Sequence, residues 1–227
     1  MDAVLVSDLH LDGPAHPSQV AFLRFLGTLP SSTRLCVLGD AFQAWWHHDG
    51  EPFREYAPVA RALLEFDLVY LPGNHDFHAL DYFRAHRATV PTHARPGAAV
   101  VTRLGTLGAH LSHGDEADSS WGYVALHALL RGRAFAAAVD ALPPARAWAF
   151  LHQLAGRPHG VPDPGIEAAQ LALAAACPEA LVAMGHTHGP RLLRRNEGYF
   201  LNTGDWVSHR SFAIVTGDVV TLSRFDG

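Results

Sequence analysis

Apolar runs of three to six residues recur along the chain, and most close on a Gly, Asp, Asn or His before a stretch of helical period begins. Val4-Leu5-Val6 predicts a buried strand ending in Ser7-Asp8-Leu9-His10. From Pro17 to Leu29, Val20, Leu23, Leu26 and Leu29 recur at helical spacing, with Pro17 near the start and Pro30 past the end. Leu35 to Leu38 is a second short strand, closed by Gly39-Asp40. Residues 58–66 read as helix and Leu68 to Leu71 as a third strand, closed by Pro72-Gly73-Asn74-His75-Asp76. Three strand-then-helix units predict parallel strands joined by right-handed crossovers.

The second half has a different rhythm. Ala98 to Leu104 and Leu107 to Ser112 flank Gly105-Thr106, the pattern of a hairpin, and run into His113-Gly114-Asp115. Residues 119–176 read as mostly helical. Leu181 to Met184 predicts another strand, delivering Gly185-His186-Thr187-His188. Arg191 to Arg195, Tyr199 to Leu201, Ser211 to Val215 and Val219 to Ser223 then alternate around turns at 196–198 and 216–218. No repeat is visible and no linker divides the chain. The expectation is one domain over 1–227, of α/β class, with two mixed sheets packed together and helices outside.

Composition narrows the classes. At 48% hydrophobic and 17% charged, the 227 residues can bury a sizeable core, and no run reaches the ~18 apolar residues of a membrane span. The N-terminus lacks a basic region and leads directly into a strand, so no cleaved signal peptide is expected. Two cysteines, Cys36 and Cys177, make no disulfide framework and suit the cytoplasm. A formal net charge of -5 speaks against a nucleic-acid partner. All 17 basic residues are arginine, which excludes Schiff-base chemistry and a P-loop lysine. The 16 histidines become informative because several sit beside Asp, Asn and Gly at strand ends.

Five short motifs each follow an expected strand: Asp8-x-His10, Gly39-Asp40, Gly73-Asn74-His75-Asp76, His113-Gly114-Asp115 and Gly185-His186-Thr187-His188. Open α/β sheets place their sites at the carboxyl ends of strands, where these five groups can converge. Imidazole, carboxylate and amide oxygen without thiolate suit divalent Mn, Fe, Co, Ni or Zn. A lone carboxylate, Asp40, is placed to bridge two ions ~3.5–4 Å apart, the separation that clamps a phosphoryl group and supplies hydroxide at neutral pH.

In this order, D-x-H, G-D, G-N-H, H and G-H-x-H, the motifs from Asp8 to His188 resemble those of calcineurin-like metallophosphoesterases. The resemblance implies a four-layer αββα sandwich with a two-metal site between the sheets. It implies that Asp8, His10 and His188 hold one metal, that Asn74, His113 and His186 hold the other, and that Asp40 bridges them. His75 would assist the leaving group, oriented by Asp76. The implied cofactor is a pair of divalent ions, Mn first, with Fe, Zn, Ni or Co as alternatives. An inert scaffold of the same fold is disfavoured because all seven ligand positions and His75 are filled.

Local sequence is similar to the UDP-2,3-diacylglucosamine pyrophosphohydrolase branch of lipid A synthesis: Ser7-Asp8-Leu9-His10-Leu11, Phe22 to Leu26, Gly39 to Trp45, Asn74 to Phe77, Gly122-Tyr123 and His188-Gly189-Pro190. That branch implies a helical lid, roughly 119–176 here, where acyl chains bind and the membrane is met. Residues 119–161 carry Arg131, Arg133, Arg146 and Arg157 against Asp140, a local charge of +3. Phe135, Val139 and Leu142 fall on one helical face and Trp148, Leu151 and Leu154 on the next, so an interfacial lid at the inner face of the membrane and a pair of core-facing helices are both open readings. The chain departs from the branch at His75 (usually Arg), at Gln43, Trp46, His47 and His48, and over Asn202 to Trp206. The expected substrate is a lipid-linked nucleotide pyrophosphate. The alternative is a phosphodiesterase or phosphomonoesterase for soluble nucleotides.

Overall fold

The computed structural model describes residues 1–156, 163–195 and 198–227. Arg157 and the 196–197 pair of the expected turn lie outside them. In chain order the elements are β1 (Ala3–Val6), α1 (Pro17–Leu26), β2 (Arg34–Leu38), β3 (His47–His48), β4 (Glu51–Pro52), α2 (Ala57–Leu63), β5 (Asp67–Leu71), α3 (Ala79–Ala85), β6 (Ala99–Leu104) and β7 (Leu107–Ser112). Then follow α4 (Trp121–Leu130), α5 (Arg133–Asp140), α6 (Pro144–Ala155), α7 (Pro164–Ala176), β8 (Leu181–Met184), β9 (Arg191–Arg195), β10 (Gly198–Asn202), β11 (Ser211–Thr216) and β12 (Val219–Arg224). The two-residue ladder β3–β4 and helix α3 are additions to the sequence reading.

One five-stranded sheet has the order β12-β11-β1-β2-β5 and the other β6-β7-β8-β10-β9. β1, β2 and β5 are mutually parallel, as the strand-then-helix pattern predicts, and β7, β8 and β10 are parallel in the second sheet. Strand alternation sorts the core into layers. Leu5, Cys36, Leu38, Val69 and Leu71 point one way and meet Leu107, Ala109, Leu111, Leu181 and Leu201 of the other sheet. Val4, Val6, Leu35, Val37 and Tyr70 point the other way, under α1 and α2. On the far face of the second sheet, Val182, Met184 and Phe200 pack under Ala174 of α7. Helix, sheet, sheet, helix: the αββα sandwich.

Caps fix the helix starts. His16 accepts from Ser18 N ahead of Pro17, and Asp163 accepts from Gly165 N at 2.7 Å ahead of Pro164. The buried face of α1 is not the expected stripe: it is Phe22, Phe25 and Leu26, while Val20 is exposed. Residues spaced strictly by three drift ~60° per step around a helix, so Val20 and Leu29 cannot share one face.

The expected helical stretch 119–176 contains four helices among the described residues. All of its expected lipid-facing residues except Leu154 pack inward, however. Val139 and Leu151 are buried in the first core layer, with Phe135, Leu142 and Trp148 half-buried against it. Trp148 lies 4.8 Å from the Tyr56 ring, and Trp46 Nε1 donates to Asp140 at 2.9 Å. The bare apolar side chains are instead on α4 and the outer side of α6: Trp121 (85% exposed), Val124, Leu126, Leu129, Phe150 and Leu154.

Candidate metal centre

All five motif loops leave the carboxyl ends of β1, β2, β5, β7 and β8, and the two parallel sets bring those ends together between the sheets. Glycines permit the approach. A Cβ on Gly73 would overlap the Asp40 carboxylate, and Gly39, at φ +91, would collide with the His113 ring.

On one side, Asp8 Oδ1 lies 3.4 Å from His188 Nε2, which lies 3.2 Å from His10 Nε2. On the other, Asn74 Oδ1 lies 3.1 Å from His113 Nε2 and 3.0 Å from His186 Nδ1. Asp40 Oδ2 stands between the groups, 3.9 Å from His10 Nε2 and 3.5 Å from His113 Nε2. The seven residues expected as ligands therefore converge on two adjacent points that share Asp40. Neutral imidazoles, an amide oxygen and two carboxylates would here face one another lone pair to lone pair. Such a set is stable only with cations among its members, and its chemistry fits divalent transition metals.

Three of the donors are aimed by a second contact. Asp8 Oδ2 takes the Ser7 hydroxyl at 2.5 Å and His186 N at 2.9 Å, and Oδ1, which His186 N also reaches at 3.2 Å, faces His188. Asp40 Oδ1 accepts from His75 N at 2.8 Å, leaving Oδ2. His113 Nδ1 donates to the Leu38 carbonyl at 2.8 Å, which fixes the tautomer with a free Nε2. Gln170 of α7 donates to the Gly185 carbonyl at 3.0 Å and to that of Gly114 at 3.3 Å, and Asn202 supports Gly185 at 2.9 Å.

The backbone is strained where the donors sit. Eight non-glycine residues have positive φ among the described residues, and five are Asp8 (50°), His10 (43°), Asp40 (51°), His186 (70°) and His188 (59°). Each costs roughly 1–3 kcal/mol, a burden that clusters at functional sites. Electrostatics tell the same story. Burial, helped by the charge of His75, drives His10 down to about 3. Burial also disfavours a charged His113, but the Asp40 and Asp8 carboxylates outweigh it and raise that imidazole well above its ordinary value. Conversely, burial alone would raise Asp40; His113 and His75 hold it well below the usual carboxylate range.

One expectation needs adjustment. Asp76 does not orient His75: its carboxylate takes Gly73 N at 2.7 Å, Ala41 N at 2.7 Å and the Tyr70 hydroxyl at 2.5 Å, locking the two loops that carry Asp40 and Asn74. Burial and the nearby Asp40 charge bring it up to about 6. The His75 ring is set by the Gln43 carbonyl, 2.9 Å from Nδ1. Trp45 and Trp46 are buried in the core. Asp205 caps its own turn, accepting from Ser208 N and His209 N, and stands 3.9 Å from His188 Nδ1. Sequence reasoning passed over Ser7, Tyr70 and Gln170. Ser7 lies inside a motif, whereas nothing local marks Tyr70 or Gln170.

His75 and Asn74 also form the polar end of a cavity of about 120 Å³. Its remaining wall is mostly apolar: Phe77 and Trp45 from the core, Leu126 and Leu130 of α4, Phe135 of α5, and Leu151 and Leu154 of α6.

Two mixed sheets face to face, with this donor order at their strand ends, define a calcineurin-like metallophosphoesterase. No family model matches the sequence. The UDP-2,3-diacylglucosamine hydrolase of Xanthomonas campestris pv. campestris is 31% identical over 252 aligned residues, covering 99% of both chains. That of Stutzerimonas stutzeri is 34% identical over 136 residues, 56% of this chain and 54% of its own. An archaeal phosphodiesterase has the same fold at a TM-score of 0.52 and 10% identity, covering 98% of this chain and 99% of that one. The chain belongs to the UDP-2,3-diacylglucosamine hydrolase family, and it is a phosphoester hydrolase.

Proposed function

We propose that the chain hydrolyses a lipid-linked nucleotide pyrophosphate of the UDP-2,3-diacylglucosamine kind, using two divalent ions, with Mn as the expected pair and Fe, Zn, Ni or Co as alternatives. Asp8, His10 and His188 would hold one ion, Asn74, His113 and His186 the other, and Asp40 both. When bound, such ions polarise a phosphoryl oxygen and lower the pKa of a water to near neutrality.

The rest of the catalytic work falls to the chain itself. His75 Nδ1 is committed to the Gln43 carbonyl, so Nε2 remains for the oxygen of the departing phosphate or alcohol. Its ring stands edge-on to His10 at 4.7 Å, next to the ligand set. Asp76 keeps the Asp40 and Asn74 loops in register.

The cavity carries the substrate reading. Its polar end is Asn74 and His75, and its apolar end is built by α4, α5 and α6. An acylated sugar phosphate has the same two ends. Peripheral contact at the inner face of the membrane is part of this reading, through Trp121, Leu129 and Phe150, with Arg133 and Arg146 exposed beside them. No helix among the described residues is long and apolar enough to cross a membrane. His75, in place of the branch's arginine, favours as second reading a soluble nucleotide phosphoester.

A mass-spectrometric assay with Mn decides between them, comparing UDP-2,3-diacylglucosamine, its deacylated form, cyclic nucleotides and bis-p-nitrophenyl phosphate. Burying even three or four methylenes is worth ~2–3 kcal/mol, so the acylated substrate should lead its deacylated form by ~10²-fold in kcat/KM. Equal rates on the two would reject the lipid.

A further inference from the structure

A second set of metal-binding side chains lies away from the catalytic centre, behind the second sheet. His110 stands on β7, and its chain neighbours Ala109 and Leu111 enter the core between the sheets. Alternation therefore turns His110 to the opposite face, the one covered by α7. Cys177 caps the C-terminus of α7, and Glu179 follows two residues later, before β8. One donor atom from each of the three lies within 4.8 Å of the others, and Cys177 Sγ is 2.8 Å from Glu179 Oε2. Arg195 pins the connecting backbone through the carbonyls of Cys177, at 2.9 Å, and Glu179.

We propose that His110, Cys177 and Glu179 form a third divalent-metal site, for Zn2+, with its fourth position open to water. Thiolate, imidazole and carboxylate make a typical zinc donor set, and the two anionic groups balance the charge of the ion. Donor atoms in a tetrahedral zinc site are about 3.5 Å apart, so rotation of the Glu side chain would open the 2.8 Å Sγ–Oε2 contact while the three donors stay within the 4.8 Å they already span. The end of α7 adds the negative pole of the helix, which favours a cation. All three residues are half-buried and reachable from solvent. Zinc here would tie the C-terminus of α7 to β7, and α7 carries Gln170, the support of the Gly114 and Gly185 carbonyls. The site would act as a structural clip behind the catalytic loops and take no part in the reaction.

Cobalt separates this site from the catalytic pair. The catalytic donors include no sulfur, and Cys36 is fully buried between the sheets with its thiol pushed up to about 12. A thiolate-to-Co2+ charge-transfer band in the near ultraviolet can therefore come from Cys177 alone. With the catalytic pair pre-loaded with Mn, titration of the full chain with Co2+ should saturate this band at about one ion per chain, and Zn2+ should bleach it. Cys177→Ser should abolish the band, His110→Ala and Glu179→Gln should weaken it, and Cys36→Ser should leave it intact. Wild-type protein should gain melting temperature with Zn2+ beyond the gain in Cys177→Ser. Absence of the band with Cys177 shown reduced by thiol titration, or its persistence in Cys177→Ser, overturns the site.

Discussion

The loops that gather the metal donors and the helices that roof them are built on opposite terms. The loops are short and buried, and five donors have left-handed backbone. Asp40 has one oxygen tied to a backbone N–H and the other turned to the site, and Asp8 is held by His186 N. The roof has ordinary helical backbone, one face packed on the core and one left bare. The loops spend conformational energy on position. The roof keeps an uncovered apolar surface, which costs solubility unless something meets it. The expected metal donors thus sit in a part held tightly by its surroundings, and the bare apolar side chains in a part that can be rebuilt residue by residue without touching them.

The largest effect should come from the residue on which both halves of the centre depend. Asp40→Asn should cut turnover by at least ~10³-fold, since Lewis-acid stabilisation is worth several kcal/mol, and should lower metal content in elemental analysis. Full activity of the wild type after exhaustive chelation would break the assignment outright. Next is His75→Ala, with an expected loss of ~10²–10⁴-fold and unchanged metal content. That loss should shrink on p-nitrophenyl esters, whose leaving group needs no proton. Equal losses on good and poor leaving groups would make His75 a structural member of the loops.

On the roof the two faces should separate cleanly. Leu151→Ala and Val139→Ala remove buried volume and should cost about 2–4 kcal/mol and about 1–3 kcal/mol of stability respectively, read by urea denaturation. Trp121→Ser with Leu129→Ser should change stability by under about 0.5 kcal/mol per site. The same pair should reduce vesicle binding and acylated-substrate turnover while sparing a small soluble diester. If the outer pair instead destabilises the fold, the bare face is in fact covered.

A pH-dependent effect sits at the seam. His78 is packed against Trp46 at 4.3 Å, and burial, despite a backbone hydrogen bond to Leu130, brings it from 6.5 to about 4. The fold keeps it neutral, while the unfolded chain takes a proton as pH falls below 6.5. Its contribution is therefore complete above pH 6.5 and is lost on acidification toward 4. His78→Phe should lose on the order of 1–3 kcal/mol less stability over that interval than the wild type. Parallel pH profiles would show that His78 is hydrated.

Local pattern was enough for the strands, because each buried strand is a short run of apolar residues stopped by Gly, Asp or Asn. β3, β4 and α3 escaped it. Two residues carry no period, and α3 alternates Leu80, Tyr82 and Phe83 with Asp81 and Arg84 too briefly to declare one. The α1 stripe was legible as helix but not as a face, since leucines spaced by three wander around the axis.

The sequence by itself determined the expected donor set, its order and hence the class of chemistry, because each expected donor is attached to the end of its own strand and needs only local backbone to be presented. It also determined the net charge and the all-arginine basic surface. Only the tertiary structure decided that Asp40 stands between the two donor groups, that Gln43 rather than Asp76 sets His75, and that Val139 of α5 and Leu151 of α6 face the core while Trp121 and Leu129 of α4 and Phe150 of α6 stay bare. A helix with apolar residues is equally satisfied by a core, a membrane or a partner. The free energy that chooses among them comes from surfaces far apart in the chain, such as Tyr56 against Trp148 or Trp46 against Asp140.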